Sequence, residues 1–193
     1  MIQRRWQLFF VFLFFMHGSL QATAETGSIS LQEALETRGT VIMFRHALAP
    51  GFGDPSNFQV NDCSTQRNLD ARGREQSKTI GAQFKKLGFS TATVYSSPWC
   101  RCLETAQLMD IGPVTAFDGL GSFFEGHVDR NQTLKQLSNQ LAAIAGKEDK
   151  PVVMVTHQVV ISAVTGLGTS SGEAILYDPR NDKARRIQLS THD

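Results

Sequence analysis

The stretch Val41-Ile42-Met43-Phe44-Arg45-His46 decides the fold. Four consecutive apolar residues follow the turn signal Gly39-Thr40 and end at two polar ones. An unbroken apolar run between turn signals reads as a strand buried on both faces. A second run reads the same way: Val152-Val153-Met154-Val155 follows Lys150-Pro151 and ends at Thr156-His157. Strands of this kind need helices on both sides, so the pattern points to a parallel sheet inside a helical coat.

The segments around these two runs supply that coat. Asp70 to Leu87 predicts a helix with Ile80, Phe84 and Leu87 on one face and Gly88 as its stop. Ala92 to Tyr95 reads as a strand, followed by Ser96-Ser97 and a helix from Pro98 to about Met109. Val114 to Phe117 reads as a further short strand. Thr133 to Ala145 predicts an amphipathic helix with Leu134, Leu137, Leu141 and Ile144 as its stripe. A short helix, Val159 to Thr165, and a closing hairpin of 173–177 with 185–189 complete the chain. At the other end, Leu31 to Thr37 reads as a short helix capped by Ser30. Strands alternating with helices predict an α/β fold, a three-layer α/β/α sandwich with a mainly parallel sheet. Two stretches, 47–68 and 119–130, lack periodicity and read as long loops, which are often functional.

The first 24 residues read differently from the rest. Five of the 13 Phe lie between residues 9 and 15. Arg4 and Arg5 precede the apolar run Leu8 to Met16, and Ala22-Thr23-Ala24 offers small residues at a cleavage position. Basic start, short apolar core and small-x-small site make a secretory signal peptide, residues 1–24, ahead of a single domain, 25–193. The apolar run is about half the ~20 residues that span a bilayer, so no stable membrane insertion is expected after cleavage. The expected location is a bacterial periplasm or the medium. Exported proteins form disulfides, and Cys63, Cys100 and Cys102 allow one bridge, from Cys63 to Cys100 or to Cys102. A formal net charge of +1 gives no general reason to expect nucleic acid as a partner.

Ligands of open parallel sheets bind beyond the carboxyl ends of the strands. The predicted strands deliver Arg45 and His46, then Ser96 and Ser97 with Arg101 close behind, then Thr156 and His157. Two guanidiniums match a phosphate by fork geometry and permanent charge. An imidazole can attack phosphorus, and neighbouring arginines should keep it neutral and nucleophilic. A metal site on His46 and His157 would lack carboxylate ligands at the strand ends, and Arg45 would oppose a cation. No metal or cofactor is therefore expected.

These residues fall into motifs. Phe44-Arg45-His46-Ala47 resembles the Arg-His-Gly signature of the histidine phosphatase superfamily, which includes the phosphoglycerate mutases, with Ala47 where Gly is usual. Asn68-Leu69-Asp70-Ala71-Arg72-Gly73-Arg74-Glu75-Gln76 looks like that family's Leu-Thr-x-x-Gly-x-x-Gln segment. Ser96 to Ala106 resembles its Ser-Ser-Pro-x-x-Arg-x-x-x-Thr-Ala segment, and Val155-Thr156-His157 matches the strand bearing its second His. The resemblance implies His46 as the phosphorylated nucleophile, with Arg45, Arg101 and His157 as the phosphate pocket. It implies a carboxylate proton donor in the loop after the third strand, where Glu125 is the first candidate and Asp129 the second. The expected activity is hydrolysis of a small-molecule phosphomonoester, such as an envelope sugar phosphate, through a phosphohistidine. A catalytically silent anion-binding module is the alternative, and a thiol or metal protein centred on the three cysteines a more distant one.

Overall fold

The computed structural model describes residues 27–145 and 151–190. The leader read at 1–24 lies outside them. Seven strands form one sheet: β1 (Ile29–Ser30), β2 (Val41–Arg45), β3 (Thr93–Ser96), β4 (Val114–Ala116), β5 (Val152–Thr156), β6 (Ala174–Asp178) and β7 (Lys183–Gln188). Five helices accompany them: α1 (Leu31–Glu36), α2 (Ala71–Lys86), α3 (Cys100–Met109), α4 (Arg130–Ile144) and α5 (Gln158–Thr165). The spatial order is β1-β7-β6-β2-β5-β3-β4. The pairs β2–β5, β5–β3, β3–β4 and β1–β7 are parallel, while β6 runs antiparallel to both β2 and β7. The mainly parallel three-layer sandwich expected from the sequence is the fold observed.

The two runs that announced the fold are its centre. Along β2, Ile42 and Phe44 pack into one apolar layer with residues of α1, α2 and α3. Val41 and Met43 point the other way, into a layer with α4 and α5. All four are buried, so neither face of this strand could carry a polar residue without a partner. Helices α2 and α3 approach closely because Gly81 has no side chain: a Cβ there would stand 1.9 Å from the Met109 carbonyl oxygen.

Helix boundaries follow local chemistry. Helix α4 begins at Arg130, ahead of the expected Thr133, because the Asp129 side chain accepts from the Gln132 N–H at 2.7 Å. Asp70 caps α2 in the same way through Gly73. Strand β1 was not expected, since two residues carry no readable period. Loop 47–68 contains a 3₁₀ turn, Cys63–Thr65, and is fastened by a disulfide from Cys63 to Cys100 at the start of α3. Cys102 is free and buried, and burial pushes its thiol up to about 12. No helix of the described residues is long and apolar enough to cross a membrane.

Candidate active site

Strands β2, β5 and β3 are parallel neighbours, so their carboxyl ends form one edge. There the chain leaves the sheet and its side chains become available to a ligand. Arg45 stands opposite Thr156 in the register. The His46 N–H donates to the Thr156 carbonyl, and the Ser97 N–H to the Val155 carbonyl. These bonds extend the ladder one residue beyond each strand and fix where His46, Ser97 and His157 project. A cavity of about 320 Å³ opens at this edge, lined by Arg45, His46, Arg101 and His157 among others. Four of the residues singled out from the sequence are thus brought together.

The state of His46 follows from one bond. Its Nδ1 lies 2.7 Å from the Ala47 carbonyl oxygen. A carbonyl only accepts, so Nδ1 carries the proton and Nε2 keeps its lone pair. Burial first, and the positive charge of Arg101 next, lower the His46 pKa to about 3. The ring is therefore neutral at pH 7, with a free nitrogen. His157 is also pushed well below its ordinary value by burial and then by Arg101. Its Nε2 lies 2.9 Å from the Ser97 hydroxyl, and the two imidazole centroids are 5.5 Å apart.

The motif residues around His46 have mechanical reasons. Ala47 is buried, and its N–H donates to the Thr105 hydroxyl. It is not among the described residues with positive φ, so the glycine usual at this place is not required here. Gln76 accepts from the Leu48 N–H and donates to the Ser171 carbonyl. Gly73 lies against the Leu48 carbonyl, where a Cβ would stand 2.0 Å from its oxygen. The segment from Leu69 to Gln76 is thus the clamp that holds the chain just after His46.

Two pocket residues were missed by the sequence reading: Arg67 and Asp54, both lining the cavity. Arg67 donates from Nε to the Gly53 carbonyl and from Nη1 to the Ala49 carbonyl. Asp54 meets Arg101 in a two-pronged ion pair at the cavity wall, 2.7 Å from Nη1 and 3.1 Å from Nη2, with little of either side chain exposed. It also accepts from the Arg67 N–H and from Trp99 Nε1. Burial alone would raise the Asp54 pKa, but the hydrogen bonds from Arg101 and the Arg67 N–H outweigh it and hold the carboxyl below its ordinary value. Both residues sit in loop 47–68, where no period marks them. The available signals were Arg67 standing directly before the Asn68–Gln76 motif, and Asp54 following the turn-forming Gly51-Phe52-Gly53.

Because Asp54 takes the end of the Arg101 fork, the Nε–H of Arg101 is what that side chain has left to offer. It is buried with no hydrogen-bond partner, and so is the Nε–H of Arg45. Orphaned buried donors are costly, and both side chains line the cavity, where an anion would meet their positive charge. Helix α5 adds to the attraction, since it starts at Gln158 on the cavity wall with its positive end there. The start of α3 adds less, because the Cys100 N–H already donates to the Gln66 side chain.

Of the two candidate proton donors, Asp129 is occupied as the cap of α4. Glu125 stands behind the cavity wall. It accepts from the Asp54 N–H at 3.0 Å, its Oε2 is 3.6 Å from His127 Nε2, and a Cβ on Gly53 would come within 2.2 Å of its carboxylate. Among the described residues, Asp54, Glu125 and His127 bring one possible metal-ligand atom each within 4.8 Å of one another. The Asp54 carboxylate there is already engaged by Arg101.

Comparison with known proteins bears on the family and the fold. The sequence profile of the histidine phosphatase superfamily (branch 1) matches residues 41–120. No curated protein sequence matches the chain. Among solved structures, a mycobacterial glucosyl-3-phosphoglycerate phosphatase is similar at 16% identity and a TM-score of 0.54, over 76% of this chain and 96% of that one. The protein histidine phosphatase SixA complexed with tungstate aligns at 14% identity and 0.54, over 76% and 93%. A phosphoserine phosphatase from Entamoeba histolytica, in complex with 3-phosphoglyceric acid, aligns at 16% and 0.52, over 80% and 98%. At these identities the likeness is one of fold.

Proposed function

The histidine phosphatase superfamily profile matches residues 41–120, and from that likeness we propose that the chain is a member that hydrolyses a phosphomonoester through a phosphohistidine on His46. The observation that carries this reading is the pairing of a neutral His46, its Nε2 lone pair free, with two unpartnered arginine N–H groups on the same cavity.

In the first step His46 Nε2 forms a bond to phosphorus while the bond from phosphorus to the leaving oxygen breaks. The charge on the transferring phosphoryl group is borne by Arg45, Arg67 and Arg101, with His157 beside them, in keeping with a loose transition state that needs positioning and neutralisation. The leaving alkoxide takes a proton, for which Glu125 is the candidate donor. In the second step water attacks phosphorus while giving a proton to the carboxylate that the first step left ionised, the nitrogen–phosphorus bond breaks, and phosphate leaves with His46 neutral again. The arginines supply the positive charge for this chemistry, so the reading invokes no metal or cofactor.

The reading of residues 1–24 as an export signal supports a bacterial periplasm or the medium as the location of the enzyme. The Cys63–Cys100 bridge suits such a compartment. An envelope sugar phosphate is then a reasonable substrate. N-terminal sequencing of the mature protein checks the cleavage after Ala24.

The decisive experiment incubates the mature protein with a chromogenic phosphomonoester in chelator. Turnover, its loss in His46→Ala, and trapping of acid-labile phosphate on His46 are expected. Full activity in His46→Ala, or no turnover across a broad panel, overturns the reading. Phosphate binding without turnover would leave the anion-binding module. Glu125→Gln should slow alkyl phosphates more than aryl phosphates, whose leaving groups need less protonation.

A further inference from the structure

The mouth of the cavity carries a feature that phosphate chemistry does not use. Phe52 is 87% exposed and Phe124 38%, and these are the exposed large hydrophobic residues among those described. Both line the cavity. Their rings meet edge to face with centroids 5.2 Å apart and planes at 88°. The pair comes from two different loops, 47–68 and 119–130, so it is assembled by the fold. Two exposed aromatic rings have no stabilising role that burial would explain, and at the rim of a ligand cavity they offer a face to whatever extends out of it.

The charge balance limits what that can be. The cavity lining holds three arginines and one carboxylate, Asp54, which leaves two positive charges uncompensated. A phosphomonoester dianion closes that balance, since its second ionisation lies near pH 6. A further anionic group on the leaving alcohol would find no free cation in the lining. The remaining rim side chains, Ser122, Gln158 and Val159, are uncharged.

We propose that Phe52 and Phe124 form a leaving-group subsite that selects phosphomonoesters of uncharged alcohols presenting a flat apolar face, an aryl ring or the C–H face of a sugar, against those bearing a carboxylate. The proposal rests on the phosphatase reading of the same cavity and adds the class of the leaving group.

The test is calorimetric binding to the full-length mature His46→Ala protein, which does not depend on turnover, with His46→Asn in reserve should the first not fold. The probes are inorganic phosphate, glycerol 3-phosphate, 3-phosphoglycerate, phenyl phosphate and glucose 6-phosphate. Glycerol 3-phosphate should bind at least about tenfold more tightly than 3-phosphoglycerate, which differs by a carboxylate, as expected for an unpaired charge. Phenyl phosphate or glucose 6-phosphate should bind more tightly than glycerol 3-phosphate, and the stronger of the two names the source, aryl or sugar. Adding Phe52→Ala should erase that advantage, a loss of about threefold to tenfold in the range of aromatic contacts, while inorganic phosphate binds unchanged. Equal binding of 3-phosphoglycerate and glycerol 3-phosphate, or an advantage that survives Phe52→Ala and Phe124→Ala, overturns the proposal and leaves the phosphatase reading standing. If not even inorganic phosphate binds, that reading has failed and the subsite falls with it.

Discussion

Replacing Asp54 by Asn removes one charge from the most buried ion pair among the described residues. The Arg101 and Asp54 side chains are only 4% and 3% exposed, and both prongs of the fork are occupied. Removing one partner of such a pair leaves an uncompensated buried charge, which costs about 3–5 kcal/mol. The cavity admits water and ions to Arg101, so the lower end, about 3 kcal/mol, is expected. For a domain of this size each kcal/mol lowers Tm by about 2–4 °C, so the fall should be roughly 6–12 °C. A second readout separates electrostatics from general damage. In Asp54→Asn the Arg101 guanidinium loses its anionic partner, and an anion from solution can take over the charge of the lost carboxylate. At one phosphate concentration, Tm should therefore rise more in Asp54→Asn than in the parent; a hundredfold excess over Kd stabilises the variant by about 2.7 kcal/mol in all. Thermal melts with and without phosphate, followed by circular dichroism, measure both effects. A Tm within about 2 °C of the parent would refute the claimed cost of the unpaired charge. Equal phosphate stabilisation of both proteins would refute the view that Asp54 occupies an anion site on Arg101.

Three further outcomes are expected. His46 and His157 are held neutral by pKa values below the ordinary one. The unfolded chain therefore binds more protons below about pH 6.5, and stability should fall on acidification by about 1.4 kcal/mol per pH unit for each of the two. Correspondingly, kcat/KM corrected for substrate ionisation should show no loss at pH 6.5, and an acid limb there would contradict a neutral His46. Reduction of the Cys63–Cys100 bridge, which spans 37 positions, should destabilise by about 4 kcal/mol on the loop-entropy model. It should also weaken inorganic phosphate binding, because Arg101 follows Cys100 directly; equal binding in reductant by calorimetry would argue against that coupling. Gly53→Ala should lower both Tm and turnover, since Gly53 has φ +67° and a Cβ would meet the Glu125 carboxylate at 2.2 Å; a variant indistinguishable from the parent in melts and assays would refute it.

How much was legible in the sequence varies with the physical origin of each feature. The central strands were readable because β2 and β5 are buried on both faces, which forces unbroken apolar runs. Arg45, His46, Arg101 and His157 were readable because strand ends and a helix start place them at one edge. Arg67 and Asp54 were not, because their positions come from hydrogen bonds to loop carbonyls and to Arg101, and a loop has no period to betray which side chains face inward. The same loop hid the aromatic pair, since Phe52 meets Phe124 across 72 positions of sequence. The pairing of Cys63 had two options, and it falls to Cys100 at the start of α3, while Cys102 faces the core.

The strand order has a consequence for how the molecule comes into being. The first and last central strands of the site are neighbours in the sheet although distant along the chain: the Arg45 side chain bonds Gln158 from 113 positions away. Contacts of such long range are slow to form, since the entropy of closing the loop must be met before the contact is made. The pocket therefore cannot assemble while the chain is still emerging; β2 must wait for β5. The Cys63–Cys100 loop is shorter and can close earlier, which would tether the Asp54 loop to α3 before the second histidine arrives. Recovery of enzymatic activity on refolding should accordingly lag behind the gain of helical signal, with the sheet centre as the last piece set in place.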